Sequence, residues 1–287
     1  MIEFSVAESV NVLIHEGAMS KACKTFLNLI YKDFQPPVAT PKKIIKLRVE
    51  DISIDTSELV KLGNDGFYSD RFLSLKSGHH YASDGNVISI TVPSMVKRGR
   101  VPFKRSTPGR HISDEVIEPL MVVLLQELEF SCYHASSIIE KNGEASINIA
   151  WRATGKTNAI LPHIYSGRVL SDDLSFVDEK NGILYSYPRP LRLYGYNIDV
   201  LDADRLTKFK LQLKSLITPP WQPVDYIPIL PSVYSTKKYN KVYMNGEYSN
   251  IEDYKKGNES LFLQITAFEF AHFDEAKAML KICGILN

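Results

Sequence analysis

The sequence predicts an α/β protein in which a mixed β-sheet is flanked by helices and preceded by an N-terminal α+β module. Three observations lead there. β-Prone runs separated by turn residues recur through the N-terminal third. A hairpin pattern further on runs straight into Trp151–Thr157, a loop whose Trp151 and Arg152 are bulky, followed by a helix start. The composition is that of an ordinary folded chain: 287 residues, 44% hydrophobic, 23% charged, 15 Gly and 15 Pro, which excludes a disordered, collagenous or coiled-coil rod class.

Charge narrows the partners. With 34 Lys+Arg against 33 Asp+Glu the net charge is +1, so no global field steers the protein toward nucleic acid or anionic lipid, and any anion binding has to be local. The apolar run Leu120–Leu125 falls far short of the roughly 20 residues a membrane helix needs. The N-terminus carries Glu3 and Glu8 where a signal peptide wants a basic region and an apolar block. Cys23, Cys132 and Cys283 leave one cysteine over from any pairing and lack metal-ligand spacing. A cytoplasmic protein without membrane or nucleic-acid partners is the expectation.

Residues 1–110 read as the accessory module. Cys23, Phe26, Leu27 and Ile30 form one helical stripe, and Lys43–Val49, Arg71–Leu75 and Val87–Val92 are β-rich runs. Lys97–His111, basic and containing Pro and Gly, marks the boundary and reads as a solvated connector. A helix follows, with Ser113 or Asp114 as its cap and Pro119 as the point where regular geometry begins.

Residues 111–287 read as the second domain. Tyr133–Ile139 and Ala145–Ala150 flank Asn142-Gly143, a hairpin signal because both residues tolerate positive φ. A short helix over 158–165, a strand over 168–171 and a second hairpin around Asn181-Gly182 come next. Leu201–Leu216 is helix-like, Trp221–Pro231 extended, Leu261–Phe270 apolar, and Asp274–Cys283 helix-like again.

Ala150–Thr157 matches the phosphate-binding pattern G-x-x-x-x-G-K-[ST] at every specified position but the first, where Ala stands for Gly. The pattern asks backbone amides over Arg152, Ala153, Thr154 and Gly155 to wrap phosphate oxygens, Lys156 to supply charge, and Thr157 to hold Mg²⁺. If position 150 needs positive φ, Ala costs roughly 1 kcal/mol there. Asp172 and Asp173 follow the next strand. One carboxylate at such a place can hold the metal and the other can accept a hydroxyl proton, provided the strand ends or turns at the pair. His134 lies on the first hairpin strand, and Arg189 and Arg192 on an extended Pro-rich segment can neutralise phosphate charge.

His134-Ala-Ser, the 150–157 loop, Ser171-Asp172-Asp173 and Tyr187-Pro-Arg-Pro-Leu-Arg192 together resemble the catalytic domain of the HPr kinase/phosphorylase family. The likeness covers about residues 111–200 and is greatest to the HPr-kinase-related enzymes that accompany peptide natural products. It implies a P-loop kinase core related to nucleotide-dependent phosphoenolpyruvate carboxykinases. By that resemblance Lys156 holds the β/γ-phosphates of ATP, Thr157 and Asp173 the Mg²⁺, Asp172 is the base, and His134 supports Asp172. Gly is usual in that family at position 150, Ser at 157 and an acid at 158, and the family's C-terminal signature has no counterpart here. Nucleotide and metal binding therefore carry over, while HPr as substrate, phosphorolysis and a hexamer do not. The implied activity is a kinase acting on a Ser or Thr hydroxyl of a peptide or protein. A small-molecule kinase and a catalytically inactive nucleotide-binding scaffold are the alternatives.

Overall fold

In the computed structural model, which describes residues 1–62, 66–75, 77–94, 108–150 and 154–243, the chain is a mixed α/β protein with several sheets and few helices. These residues divide into two units, Met1–Glu129 and a second that begins at Phe130.

The first unit starts with strands β1 (Ile2–Val6) and β2 (Val10–His15), an antiparallel hairpin whose turn passes through Ala7 and Glu8, both at φ 52. Helix α1 (Lys21–Tyr31) then crosses over to β3 (Lys43–Val49), which lies parallel to β2. Ser20 caps α1 by accepting from the Cys23 amide, and the predicted stripe of Cys23, Phe26, Leu27 and Ile30 is buried. Strands β4 (Val60–Leu62), β5 (Gly66–Ser69), β6 (Phe72–Leu75), β7 (His80–Ser83) and β8 (Val87–Val92) complete a sheet of order β1-β2-β3-β8-β7-β6-β5-β4.

The helical segment is where expectation and structure part. Helix α2 (Pro108–His111) continues through a π-helical turn (Ile112–Ile117) into α3 (Glu118–Glu127), so Ser113 is an interior residue and caps nothing. Pro119 has no N–H and its ring crowds the preceding turn. The wider turn just before it, closed by the Glu118 amide on the Ser113 carbonyl, relieves that crowding. Gly109 explains why the segment belongs with the first unit: a Cβ there would sit 2.9 Å from Phe26 and 3.0 Å from the Cys23 carbonyl. The Tyr31 hydroxyl also meets Ser113 Oγ at 2.8 Å. The division accordingly falls at Glu129, whereas the sequence places it at 110. Of the predicted connector, residues 97–107 lie outside the described residues.

The second unit comprises β9 (Ser131–Tyr133), β10 (Ala135–Ile139), β11 (Ala145–Ile149), α4 (Lys156–Ile160), a 3-10 turn (Leu161–Ser166), β12 (Val169–Ser171), β13 (Ser175–Asp178), β14 (Ile183–Tyr185), β15 (Leu191–Leu193), a 3-10 turn (Gly195–Val200), α5 (Arg205–Ile217), β16 (Asp225–Ile227), β17 (Ser235–Thr236) and β18 (Tyr239–Tyr243). The sheets run β12-β10-β11-β18, β17-β14-β13-β9 and β15-β16. Both predicted hairpins are present, β10–β11 with Gly143 at φ 83 and β13–β14 with Gly182 at φ 61. One core packs Tyr133, Ala135, Ile147, Ile149, Leu170 and Val177 between strands, and another gathers Ile160, Leu161, Leu191 and Leu211. The sequence segments 261–270 and 274–283 lie outside the described residues.

Candidate functional site

The strand predicted over 133–139 is two strands, and the break is His134. Residues up to Tyr133 pair with β13, those from Ala135 pair with β11 and β12, and His134 sits where the chain changes sheets. Its carbonyl accepts from the Ala150 amide at 3.4 Å, and the next amide, Ala135, donates to the Asp173 carbonyl at 3.2 Å. The start of the loop and the acid pair are thus tied to one corner of the molecule.

Trp151, Arg152 and Ala153 lie outside the described residues, so the loop is seen through its ends. Those ends come together: the buried Lys156 reaches back and its Nζ donates to the Ala150 carbonyl at 2.7 Å. Gly155, at φ 90, takes the left-handed conformation that lets the chain turn into α4. Thr154 precedes it at the loop's exit. Ala150 is not among the residues with positive φ, so the missing glycine carries no backbone strain at that position.

Strand β12 stops at Ser171, which meets the condition for using both acids. Asp173 has φ 64, and a three-residue turn closes around it through the Leu174 amide on the Asp172 carbonyl at 2.8 Å. A positive φ in such a turn is strained for a residue with a Cβ. Beneath it, Ser171 Oγ lies 2.6 Å from both Ser137 Oγ and Ser175 Oγ, a fully buried hydroxyl cluster that joins β10, β12 and β13. Sequence reading missed this support. The repeated serines in β-prone, otherwise apolar runs were its only trace.

The contacts distinguish the two acids. Thr157 Oγ1 donates to Asp172, at 3.2 Å from Oδ1 and 3.3 Å from Oδ2. Asp173 faces His134, whose Nε2 is 3.5 Å from Oδ1, and accepts from Arg189 Nη1 at 3.0 Å through Oδ2. His134 therefore stands beside Asp173 and not Asp172, and Thr157 beside Asp172 and not Asp173. Asp172 is 5% exposed, while the Asp173 side chain is 34% exposed.

Electrostatics separate the pair further. Burial, then the charge of Asp173, pushes the Asp172 carboxyl up to about 7, against the pull of Arg189, Thr157 and Lys156. Burial would raise Asp173 too, but Arg189, His134 and Arg192 outweigh it and hold that carboxyl well below the usual range. Burial also lowers Lys156, with both acids opposing. Arg192, on β15, acts on Asp173 by charge. Asn158, the first residue after the motif, accepts from Asn197 Nδ2, which ties α4 to the 3-10 turn before α5. Among the described residues there is no cluster of three His, Cys, Asp or Glu that could hold a metal unaided. No helix among them is long and apolar enough to cross a membrane. No protein-family model and no curated protein matches the sequence.

Proposed function

We propose that the chain is a Mg²⁺- and ATP-dependent kinase with an HPr-kinase-like phosphate-loop core, transferring the γ-phosphoryl group to a Ser or Thr hydroxyl of a peptide or protein. The observation that carries this reading is the 3.2 Å contact between Thr157 and Asp172, which joins the loop motif to the acid pair fifteen residues further on. Such a meeting of hydroxyl, lysine and carboxylates is what phosphoryl transfer asks of a protein, since its catalysis is mostly positioning and charge neutralisation.

Mg²⁺ prefers hard oxygen donors and uses one or two carboxylates beside substrate phosphates. The Thr157 hydroxyl and the Asp172 carboxylate provide that donor set, and a carboxylate whose charge burial disfavours gains most from a divalent cation. When bound, the ion would neutralise phosphate charge. Lys156 would exchange its bond to the Ala150 carbonyl for a phosphate oxygen. Arg189 and Arg192 add positive charge on the side of Asp173.

Asp173 is kept ionised and remains reachable, so it accepts the hydrogen of the incoming hydroxyl and orients it. In transfer the acceptor O–P bond would form as the bond to the bridging oxygen breaks and ADP departs; because Asp173 is a weak base, the hydroxyl proton would pass to it only once the forming bond has made that oxygen acidic. His134 positions that carboxylate. In this arrangement Asp172 serves the metal and Asp173 the acceptor, the reverse of the roles that the resemblance implies. The test is incubation with γ-labelled ATP, Mg²⁺ and serine-containing peptides, with mass spectrometry of the products. A phosphate ester on peptide serine or threonine supports the reading. Label on free serine or a sugar alone assigns a small-molecule kinase, and ATP binding without transfer to any acceptor overturns the enzyme.

A further inference from the structure

Helix α5 turns its apolar face away from the protein. Leu206, Phe209, Leu213, Leu216 and Ile217 are each between 50% and 86% exposed, while Leu211 alone is buried. On a 3.6-residue period those five fall within an arc of roughly 100°, opposite Leu211. Trp221, just beyond the helix, is also largely exposed. An apolar stripe of this size marks an interaction surface.

The polar residues of the helix select the occupant. Arg205 and Lys210, both exposed, border the arc on its two sides, and α5 contains no acidic residue. Lys208 and Lys214 lie further round, one donating to the Asp199 carbonyl at 2.9 Å and the other 3.5 Å from Asp225. Asp202 and Asp204 precede the first turn, and the Asp204 carboxylate is occupied by the Thr207 amide and hydroxyl. A second copy fits poorly. Pairing two such stripes antiparallel about a dyad between Phe209 and Leu213 brings the two Lys210 side chains together.

We propose that α5 and Trp221 form a docking surface for an anionic lipid bilayer, with the apolar arc entering the headgroup boundary and Arg205 and Lys210 meeting the lipid charge. The near-zero net charge of the chain removes long-range attraction but not this local one. Such docking needs no helix that crosses the bilayer, and none among the described residues is long and apolar enough to do so.

The experiment is sedimentation of the full chain with vesicles of phosphatidylcholine alone or with about 30% phosphatidylserine, at low and at physiological salt. The expected result is at least about tenfold greater partitioning onto the serine-lipid vesicles, weakened by salt. Leu213→Glu with Leu216→Glu should lower it at least about tenfold, and Lys210→Gln about fivefold. Because both leucines are exposed, circular dichroism should be unchanged. A shift of tryptophan emission to shorter wavelength on the anionic vesicles, absent in Trp221→Phe, gives a readout independent of those variants. Equal or negligible binding to the two vesicle types overturns the proposal. So does a concentration-dependent dimer abolished by the same Glu variants, which would give the face to a second copy.

Discussion

Each unit buries a chain of titratable groups, and the two chains are built on opposite lines. In the first, Ser77 Oγ, His79, His111 and Glu115 follow one another at 2.7, 2.9 and 2.6 Å. Burial, with His111 and His80 as neighbours, pushes His79 down to about 3, so its ring is neutral at physiological pH and bonded at both nitrogens. In the second, Lys156, Arg189 and two adjacent carboxylates crowd around a turn at positive φ. The first arrangement ties the turn before β7 to α2 through the neutral His79 ring. The second keeps opposed charges, one raised carboxyl and a strained residue together, costs that structural sites shed and reactive sites retain.

That comparison can be broken most sharply at Lys156. Lys156→Ala should lower phosphoryl transfer at least about a hundredfold in the labelled-ATP assay, whereas His79→Phe should leave the rate unchanged. The acids come next. Asp172→Asn should weaken Mg²⁺-dependent nucleotide binding, measured by calorimetry, while Asp173→Asn should spare that binding and reduce transfer alone. If the two variants exchange phenotypes, the roles implied by the family resemblance hold instead.

Stability should respond to pH in opposite directions in the two units. The Asp172 carboxyl lies above its unfolded value, so the native state binds the extra proton between about pH 4 and 7, and this contribution is lost as pH rises through that window. His79 lies below its unfolded value, so its contribution is complete above about pH 6.5 and is lost on acidification toward 3. Urea melts at pH 4.5 and 8 should show Asp172→Asn gaining stability over wild type only at the higher pH. His79→Phe should cost about 1–3 kcal/mol at pH 8 through the partners it leaves unsatisfied, and less at pH 4.5. The smallest expected effect is that of Gly155→Ala. A Cβ there meets nothing within 4 Å, so only the left-handed backbone is penalised, by about 1 kcal/mol in the same melts.

How much of this was legible depended on whether the chain announced its turns. Asn142-Gly143 and Asn181-Gly182 gave two hairpins because those residues accept positive φ cheaply, and the α1 stripe gave a helix because its period matched 3.6. The β1–β2 hairpin had no such cue, since Ala7 and Glu8, residues that rarely adopt positive φ, hold it there. Nor could propensity show that one residue, His134, separates strands of different sheets. In the site, spacing brought the loop and the acids to one place, but which carboxylate faces Thr157 depends on the Asp173 turn. That turn is set by the Leu174 amide and by packing, neither of which has a sequence signature.

The central claim is that the 150–157 loop and the Asp172–Asp173 turn form one nucleotide site. Titration calorimetry of ATP into the full chain, with Mg²⁺ and with chelator, tests it most directly. The account predicts a single site whose affinity falls at least about tenfold on chelation and is lost in Lys156→Ala with the fold intact by circular dichroism. Binding that ignores both Mg²⁺ and Lys156, or no binding by the wild-type chain, would contradict it.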